Sequence, residues 1–396
     1  MAVLYKRVFS GVGIFSRCII SELSTSGFPR HVRTLYAQSA LGIDNYVKSR
    51  ESIHTQFANM MEKFKSKMQE YSEPESKNMI FTEDLKHMIH LADATPEDLN
   101  LIMKMMKRFN QQNKELRFGN YIFGPVVMRM YHFHDKPNDA LQAFMDSDLE
   151  GFFDQLITYQ ILMDLLYKNG MYDNILEVFQ IIKKRQIENA KYPKNVVVLT
   201  LAACYKLNTP ESLKFALDLW KELQAVGHVP MRRAATFAAA LALNHNSPHI
   251  TLEIISGIKQ QSYFTVRNIK AAALADIGRP EDSFPILRTV LQVDNPAEQK
   301  QTIAREVVQR VKEAVQRLEN KNALYEFEQL EKLLTNQGHI CDNTLDSQLC
   351  AEISSYDKKM NNMRSRDQRF LAASFNRQKA TARGRSYARP GLEDMY

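Results

Sequence analysis

Residues 157–193 have the pattern of a helix hairpin and limit the fold more than any other stretch of the chain. Apolar residues recur at helical spacing over residues 162–166 and again over residues 175–182. Asn169-Gly170, between the two runs, can end a helix and enter a left-handed turn. A hairpin of this size cannot bury its own apolar faces, so neighbours of the same kind must pack against it. The chain is therefore predicted to be an all-α protein built as an α-solenoid.

The same register recurs on both sides of this hairpin at intervals of about 35 residues. Ala140, for example, stands 35 residues before Ile175. We predict a degenerate repeat array over residues 119–292. Helical segments outside the repeats are predicted at residues 44–118 and at residues 293–355, where the second one caps the last apolar face of the array.

Two successive hairpins carry the residues of a known repeat pattern. They are Thr158, Tyr159, Leu162, Lys168, Gly170 and Val178-Phe179 in the first, and Lys206, residues 216–220, Gly227 and Pro230 in the second. The chain thus resembles the pentatricopeptide repeat family. The resemblance implies stacked helix pairs that bind single-stranded RNA along their first helices, one base per repeat. The tetratricopeptide repeat is the main alternative, but its W-x2-L-G-x2-Y pattern is absent from the sequence.

Basic residues of the repeats are candidates for contacts with RNA phosphates. They are Lys168, Lys206, Arg232, Arg233, Arg267 and Lys270. The first two match the family's lysine near the end of the first helix, and the other four stand at starts of first helices, where a groove that follows the RNA backbone can use them. The alternative is that each charge only meets solvent, because residues 44–355 carry a net charge of −3. An RNA-binding face on this body must therefore be local.

The first 43 residues have the composition of a mitochondrial presequence. Five Lys/Arg residues accompany one acid, Glu22, in an apolar and serine-rich stretch that lacks the continuous apolar core of a secretory signal. We expect cleavage between Arg30 and Asp44. No uninterrupted apolar run reaches the roughly 18 residues that a membrane span needs.

The C-terminal segment, residues 356–396, is predicted to be a basic tail without fixed structure. Ten Lys/Arg residues over 356–389 face only two acids, which gives a net charge of +8. The candidate RNA contacts in it are Arg364, Arg366, Arg369 and Arg377, interleaved with aromatic residues such as Phe370 and Phe375. Such a segment suits phosphate contacts together with base stacking. The alternative is a tail with only loose electrostatic attraction to its partners.

No catalytic or metal-binding motif stands out in the sequence. The four cysteines form no CxxC pair, which argues against a zinc ribbon and fits a reducing compartment. Residues 146–151 resemble the start of a calcium loop, but Ile157 takes the place of the required glutamate. We therefore expect no enzyme activity, no metal and no cofactor.

The family resemblance implies a mitochondrial matrix protein that binds single-stranded RNA and takes part in the processing and maturation of mitochondrial mRNA, and hence in respiratory chain function. Its partners would be mitochondrial transcripts and RNA-processing proteins, and it would act by binding. The alternative is a helical-repeat scaffold for proteins in a ribosome-associated or RNA-processing complex of mitochondria. The negative net charge of the body favours this alternative.

Overall fold

Helices supply almost all of the regular structure in the computed structural model, so the all-α prediction is confirmed. The described residues are 34–112, 121–187, 190–292 and 301–353. Most of the predicted presequence and the four candidate arginines of the tail lie outside these ranges. Within them, no helix is long and apolar enough to cross a membrane.

The N-terminal segment is a small group of helices that packs against the start of the array. They are α1 (Gln38–Leu41), α2 (Ile43–Phe57), α3 (Met61–Ser72), α4 (Thr82–Leu91) and α5 (Pro96–Gln111). The Thr95 hydroxyl caps α5 by accepting a hydrogen bond from the Asp98 amide at 3.3 Å, as its position before proline predicts.

The apolar spacing of residues 44–71 predicts one long helix, but the structure divides it between α2 and α3 at residues 58–60. The break turns Phe57 and Phe64 toward each other, with ring centroids 5.1 Å apart. Both rings also pack against His87 of α4. The contact with α4 is a long-range one, and helical periodicity alone carries no sign of it.

The repeat array consists, in the described residues, of five helix hairpins. Their helices are α6 (Gly124–Phe133) and α7 (Pro137–Met145) in hairpin one, α8 (Leu156–Lys168) and α9 (Tyr172–Arg185) in hairpin two, α10 (Lys194–Leu207) and α11 (Pro210–Ala225) in hairpin three, α12 (Arg232–Asn244) and α13 (Pro248–Ser256) in hairpin four, and α14 (Phe264–Asp276) and α15 (Phe284–Leu291) in hairpin five. The first helices pack side by side in the order α6, α8, α10, α12, α14.

Each hairpin turn contains a residue with positive φ, and these residues set the repeat interval. They are Asp135, Gly170, Asn208, Asn246 and Gly278, at successive intervals of 35, 38, 38 and 32 residues. Glycine and asparagine tolerate this left-handed conformation better than other residues do. The turns therefore define equivalent positions from one hairpin to the next.

The first helices form an inner layer and are buried around almost their whole circumference. Residues 158–167 of α8, 196–205 of α10 and 234–243 of α12 are all buried. The second helices bury only one stripe, as α9 does with Ile175, Val178, Phe179 and Ile182. This difference explains why the first helices are apolar on all sides whereas the second helices are amphipathic.

Residues 301–353 continue the row of first helices and then turn back. Their elements are β1 (Ile303–Ala304), α16 (Arg305–Arg317), α17 (Lys321–Asn336), β2 (Ile340–Cys341) and α18 (Leu345–Leu349). Helix α16 packs on α14, and α17 packs on both α16 and α15. The apolar spacing of residues 297–318 predicts one helix. The structure begins α16 at Arg305, because Ile303 and Ala304 are extended and pair in parallel with Ile340 and Cys341.

Residues 344–353, here called the return segment, run back across the first helices. Helix α18 packs on α14 and α12. At the end of the segment Ile353 forms a parallel bridge with Tyr36. The Ile353 amide donates to the Leu35 carbonyl at 2.8 Å, and the Ile353 carbonyl accepts from the Ala37 amide at 3.0 Å. The return segment thus lies on the inner layer and ends at hairpin two, where the Tyr36 amide donates to Asp164 of α8 at 3.0 Å.

Candidate RNA-binding surface

An open cavity lies on the array between the starts of α8 and α10. Its volume is about 780 Å³, within the range of roughly 300–1,000 Å³ that small-ligand sites occupy. The wall is formed by the beginnings of the two first helices and by the loops that precede α10 and α12. The lining residues are Leu156, Ile157, Gln160, Ala190, Lys191, Tyr192, Pro193, Lys194, Asn195, Val196, Val226 and His228.

The charged residues of this cavity are all basic. Lys191 and Lys194 have no ion pair with any residue in the described ranges. The Lys191 ammonium lies 5.4 Å from the ring centroid of Tyr192, which is itself nearly buried. Burial, together with the hydrogen bond from its hydroxyl to Glu222, raises the pKa of Tyr192 to about 12. The tyrosine therefore stays neutral and fixes the loop that presents the two lysines.

Two side-chain amides meet at the floor of the cavity. Asn195 donates from Nδ2 to Oε1 of Gln160 at 2.7 Å. This bond leaves the Gln160 Nε2 group and the Asn195 Oδ1 atom without a hydrogen bond to any described side chain. A donor and an acceptor side by side can pair with the edge of a nucleobase.

The starts of α8 and α10 add a further preference for anions. The N-cap residues Gln155 and Pro193 make no side-chain capping bond, and neither helix has an acidic residue in its first turn. The first amides of a helix that lacks a cap are free donors at the positive end of the helix dipole. The cavity thus combines two lysines, helix starts, apolar walls and a pair of side-chain amides, which suits a nucleotide.

No family model matches the chain. Individual relatives, however, place it in a family. It is similar to proteins named "Pentatricopeptide repeat-containing protein 2, mitochondrial": that of Mus musculus is 31% identical over 323 residues, which cover 80% of this chain and 83% of the relative. Those of Xenopus laevis, 30% identical over 273 residues (69% of this chain and 70% of the relative), and of Danio rerio, 30% identical over 280 residues (70% and 71%), agree.

The chain belongs to the pentatricopeptide repeat-containing protein 2 family. The family prediction and the mitochondrial localisation are thereby confirmed, and the tetratricopeptide alternative is set aside. The matrix as compartment stays a prediction.

In this member of the pentatricopeptide repeat-containing protein 2 family, the two predicted lysines at the ends of first helices have acidic partners. The Lys168 ammonium lies 2.9 Å from the carboxylate of Asp135, in the turn of the preceding hairpin. Lys206 lies 2.8 Å from the carboxylate of Asp346 in the return segment. Burial alone would lower the pKa of Lys206, but the hydrogen bonds and charge interactions with Asp346 and Cys350 together outweigh it, and the pKa is raised. Both residues stay candidates for RNA contact, each with an intramolecular competitor.

The two arginines at the start of α12 point to different partners. Arg232 stacks on Tyr263, with its guanidinium 3.1 Å from the ring centroid, and donates to Gln260 Oε1 at 2.9 Å. Arg233 donates to carbonyl oxygens of the return segment, at 3.2 Å for Gln348 and at 2.6 Å for Ala351. Arg232 is thus held at the edge of the array, whereas Arg233 is covered.

The remaining predicted contacts lie at hairpin five or beyond the described residues. Arg267 is buried, with 4% of its surface exposed, and its guanidinium donates to the Gln301 side chain. Lys270 makes a long hydrogen bond of 3.5 Å to Gln261. Arg364, Arg366, Arg369 and Arg377 lie outside the described residues. Among the described residues, the predicted cations are therefore not brought together on one open face.

The cavity residues were not among the sequence predictions. Lys191 and Lys194 flank Tyr192-Pro193 in a loop, and a pair of lysines around an aromatic residue just before a predicted helix is the signal that could have identified them. The pairing of Gln160 with Asn195 could not be read from the sequence, because it depends on how α8 and α10 pack. Within the described residues, no group of three or more His, Cys, Asp or Glu side chains could hold a metal ion.

Proposed function

We propose that this protein binds single-stranded RNA in the mitochondrial matrix and serves mitochondrial mRNA processing and maturation, and thereby the respiratory chain, by holding a transcript rather than by catalysis. The observation that carries the proposal is the basic cavity between α8 and α10. Membership in a pentatricopeptide repeat family, whose members as a class bind single-stranded RNA, supports it.

The cavity offers separate groups for the parts of one nucleotide. Lys191, Lys194 and the uncapped start of α10 favour a phosphate. Ile157 and Val196 give apolar walls against which a base can lie. The Gln160–Asn195 amide pair supplies hydrogen bonds to the edge of that base, which is the kind of contact that distinguishes one base from another.

Local charge makes such binding compatible with a body that is slightly negative overall. Over residues 44–355 the net charge is −3, so long-range attraction of RNA by the body is weak. At the cavity, however, the lining residues carry only positive formal charge. Binding would therefore rest on this site together with the basic tail.

A scaffold for proteins is the second candidate function, and one observation favours it. Four of the predicted RNA contacts, Lys168, Lys206, Arg233 and Arg267, already bond to other parts of the chain. An array whose inner layer is closed in this way has its second helices and turns as its accessible surface, and such a surface suits protein partners.

Binding of short unstructured RNA to the purified full chain separates the two candidates. The Lys191→Gln/Lys194→Gln double variant should bind at least about tenfold more weakly, because each lost charge-assisted hydrogen bond contributes roughly 1.5–3 kcal/mol. The matched control is Lys321→Gln/Lys332→Gln, which removes the same charge from two exposed lysines of α17. Equal weakening in both variants, or no binding by the wild-type chain, contradicts the proposal.

Crosslinking in mitochondria tests the cellular part of the proposal. RNA crosslinked to the intact protein should be enriched in unprocessed mitochondrial transcripts, and a chain truncated after Tyr356 should retain at least part of that enrichment. Complete loss on truncation would place the site in the tail, and no enriched transcript in either form would reject the RNA function.

A further inference from the structure

In hairpins two and three the start of the first helix lines the open cavity. In hairpin four the return segment covers the equivalent position. The position thirteen residues before the positive-φ turn residue is Ile157 in hairpin two, Asn195 in hairpin three and Arg233 in hairpin four. Ile157 and Asn195 line the open cavity. Arg233, at the same position one hairpin further along, bonds to the return segment.

The contacts that the return segment makes with Arg233 resemble those of a phosphate backbone. Arg233 donates from both ends of its guanidinium to backbone carbonyl oxygens of Gln348, Leu349 and Ala351. An arginine fork that meets several oxygens on one side is the arrangement that also binds phosphate. The oxygens here are neutral carbonyls, so a phosphate would be the stronger partner for the same cation.

A second cation of the inner layer is occupied by a true anion of the segment. The Lys206 ammonium lies 2.8 Å from the carboxylate of Asp346, and about a quarter of the lysine side chain is exposed. The segment therefore places a negative charge on Lys206 and three acceptor oxygens on Arg233, along a path that runs from hairpin five to hairpin two.

We propose that the return segment is an intramolecular stand-in for RNA, and that single-stranded RNA competes with it for Arg233 and Lys206. This inference rests on the proposed function. In the closed form the array offers the cavity between α8 and α10. Release of residues 344–353 opens a second RNA-binding surface that reaches hairpin four, so the length of RNA that is held depends on the position of this segment.

The return segment is attached by few groups, which makes local release feasible. Its helix, α18, has only five residues, and Leu349 is the one fully buried apolar side chain in it. Its other attachments include the two cations, the hydrogen bond from the Leu345 amide to Glu306, the hydrogen bond from the Tyr167 hydroxyl to the Cys350 thiol and the bridge to Tyr36. Segments with few buried contacts open at lower free energy than the whole fold.

The Cys350 thiol reports the release of the segment. It is partly buried, and burial raises its pKa, so it reacts slowly with a maleimide while the segment is closed. In a Cys18→Ser/Cys341→Ser chain the other remaining thiol, Cys204, is fully buried. We expect a saturating, unstructured oligouridine to raise the Cys350 labelling rate several-fold. An unchanged rate at saturation would overturn the proposal.

A charge-matched pair of variants tests the competition directly. Asp346→Asn removes the partner of Lys206, whereas the control Asp342→Asn removes an equal charge whose partner, Arg305, is largely exposed. Asp346→Asn should bind the oligouridine at least twofold more tightly than Asp342→Asn. Equal affinities contradict the proposal.

The outcomes separate failure of the stand-in from failure of the proposed function. If the wild-type chain binds RNA through Lys191 and Lys194 while the Cys350 labelling rate and the relative affinity of Asp346→Asn stay unchanged, only the competition by the return segment is wrong. If the wild-type chain and both aspartate variants all fail to bind, the proposed function fails and the stand-in fails with it.

Discussion

The backbone of Tyr36 pairs with that of Ile353 in a parallel bridge on the inner layer of hairpin two. Tyr36 and its neighbour Leu35 are buried, with exposed fractions of 4% and 0%. The bridge joins the first described residues of the chain to the end of the return segment. Two residues inside the predicted cleavage window, between Arg30 and Asp44, are thus part of the core.

This arrangement predicts where the mature chain begins. Cleavage after Ala37 would remove Leu35 and Tyr36, so we expect the first residue of the imported protein to lie at or before Leu35. Mass spectrometry of the N-terminal peptide from mitochondria measures this. A mature N-terminus that lies beyond Leu35 contradicts it.

Leu35 should contribute to stability as a core residue does. Leu35→Ala is expected to lower the free energy of unfolding by about 2–5 kcal/mol, since it leaves a cavity in a fully buried site. Urea unfolding of the full chain gives the value. Leu333→Ala, at an exposed leucine of α17, is the control and should change stability by less than about 0.5 kcal/mol.

Asp164 holds a buried polar network that links three parts of the chain. Its Oδ2 lies 3.1 Å from Nε2 of His132, and its Oδ1 accepts from the Tyr36 amide. Asp164→Ala should destabilise the protein by about 3–5 kcal/mol, because it leaves buried polar groups without partners. Asp164→Asn keeps an acceptor for the Tyr36 amide and should destabilise the protein less. A loss in Asp164→Ala no larger than that of an ordinary surface substitution would show that the network contributes little.

The N-terminal helices should lose stability in mild acid. Burial lowers the pKa of His54, His90 and His134, which all lie near the Arg50 guanidinium. Because the neutral imidazole is favoured in the fold, the unfolded chain takes up more protons once the pH falls below the ordinary histidine pKa of 6.5. Stability should therefore be constant above about pH 7 and decrease from there toward pH 5.

Urea unfolding at a series of pH values measures this dependence. His134→Gln keeps a donor for the Ala92 carbonyl, to which His134 bonds at 3.1 Å, and should flatten the profile. His249→Gln, at an exposed histidine of α13, is the control and should leave the profile unchanged. A profile that is flat from pH 7 to pH 5 in the wild-type chain would rule out this linkage.

RNA affinity should depend on salt through the lysines of the cavity. For single strands each phosphate contact contributes about −0.7 to the slope of log K against log[salt], so Lys191→Gln/Lys194→Gln should flatten the slope by about 1.4. Titrations at several potassium chloride concentrations measure it. The Lys321→Gln/Lys332→Gln chain should retain the wild-type slope, and the same flattening in that chain would indicate a nonspecific effect of charge.

Local sequence signals predicted the helices well. Features that depend on pairing with distant parts of the chain could not be predicted. Thr95-Pro96 placed the start of α5 correctly because a cap and a first-turn proline act within a few residues. The break at residues 58–60 and the late start of α16 were missed, since each is set by a partner far along the chain. The same reason explains the site: nothing near Arg233 in the sequence indicates that residues 348–351 lie on it.

The bridge between Tyr36 and Ile353 also fixes the point from which the basic tail begins. Tyr36 bonds to Asp164, one helical turn beyond Gln160 of the cavity, so residue 354 follows a residue anchored beside the proposed nucleotide site. The tail adds a charge of +8 over residues 356–389. In the closed form, the proposed RNA contacts of the cavity and of the tail are joined at short range, so the second contact would benefit from an effective concentration on the order of millimolar. Weak affinity at each part can then add up to tight retention of a single transcript.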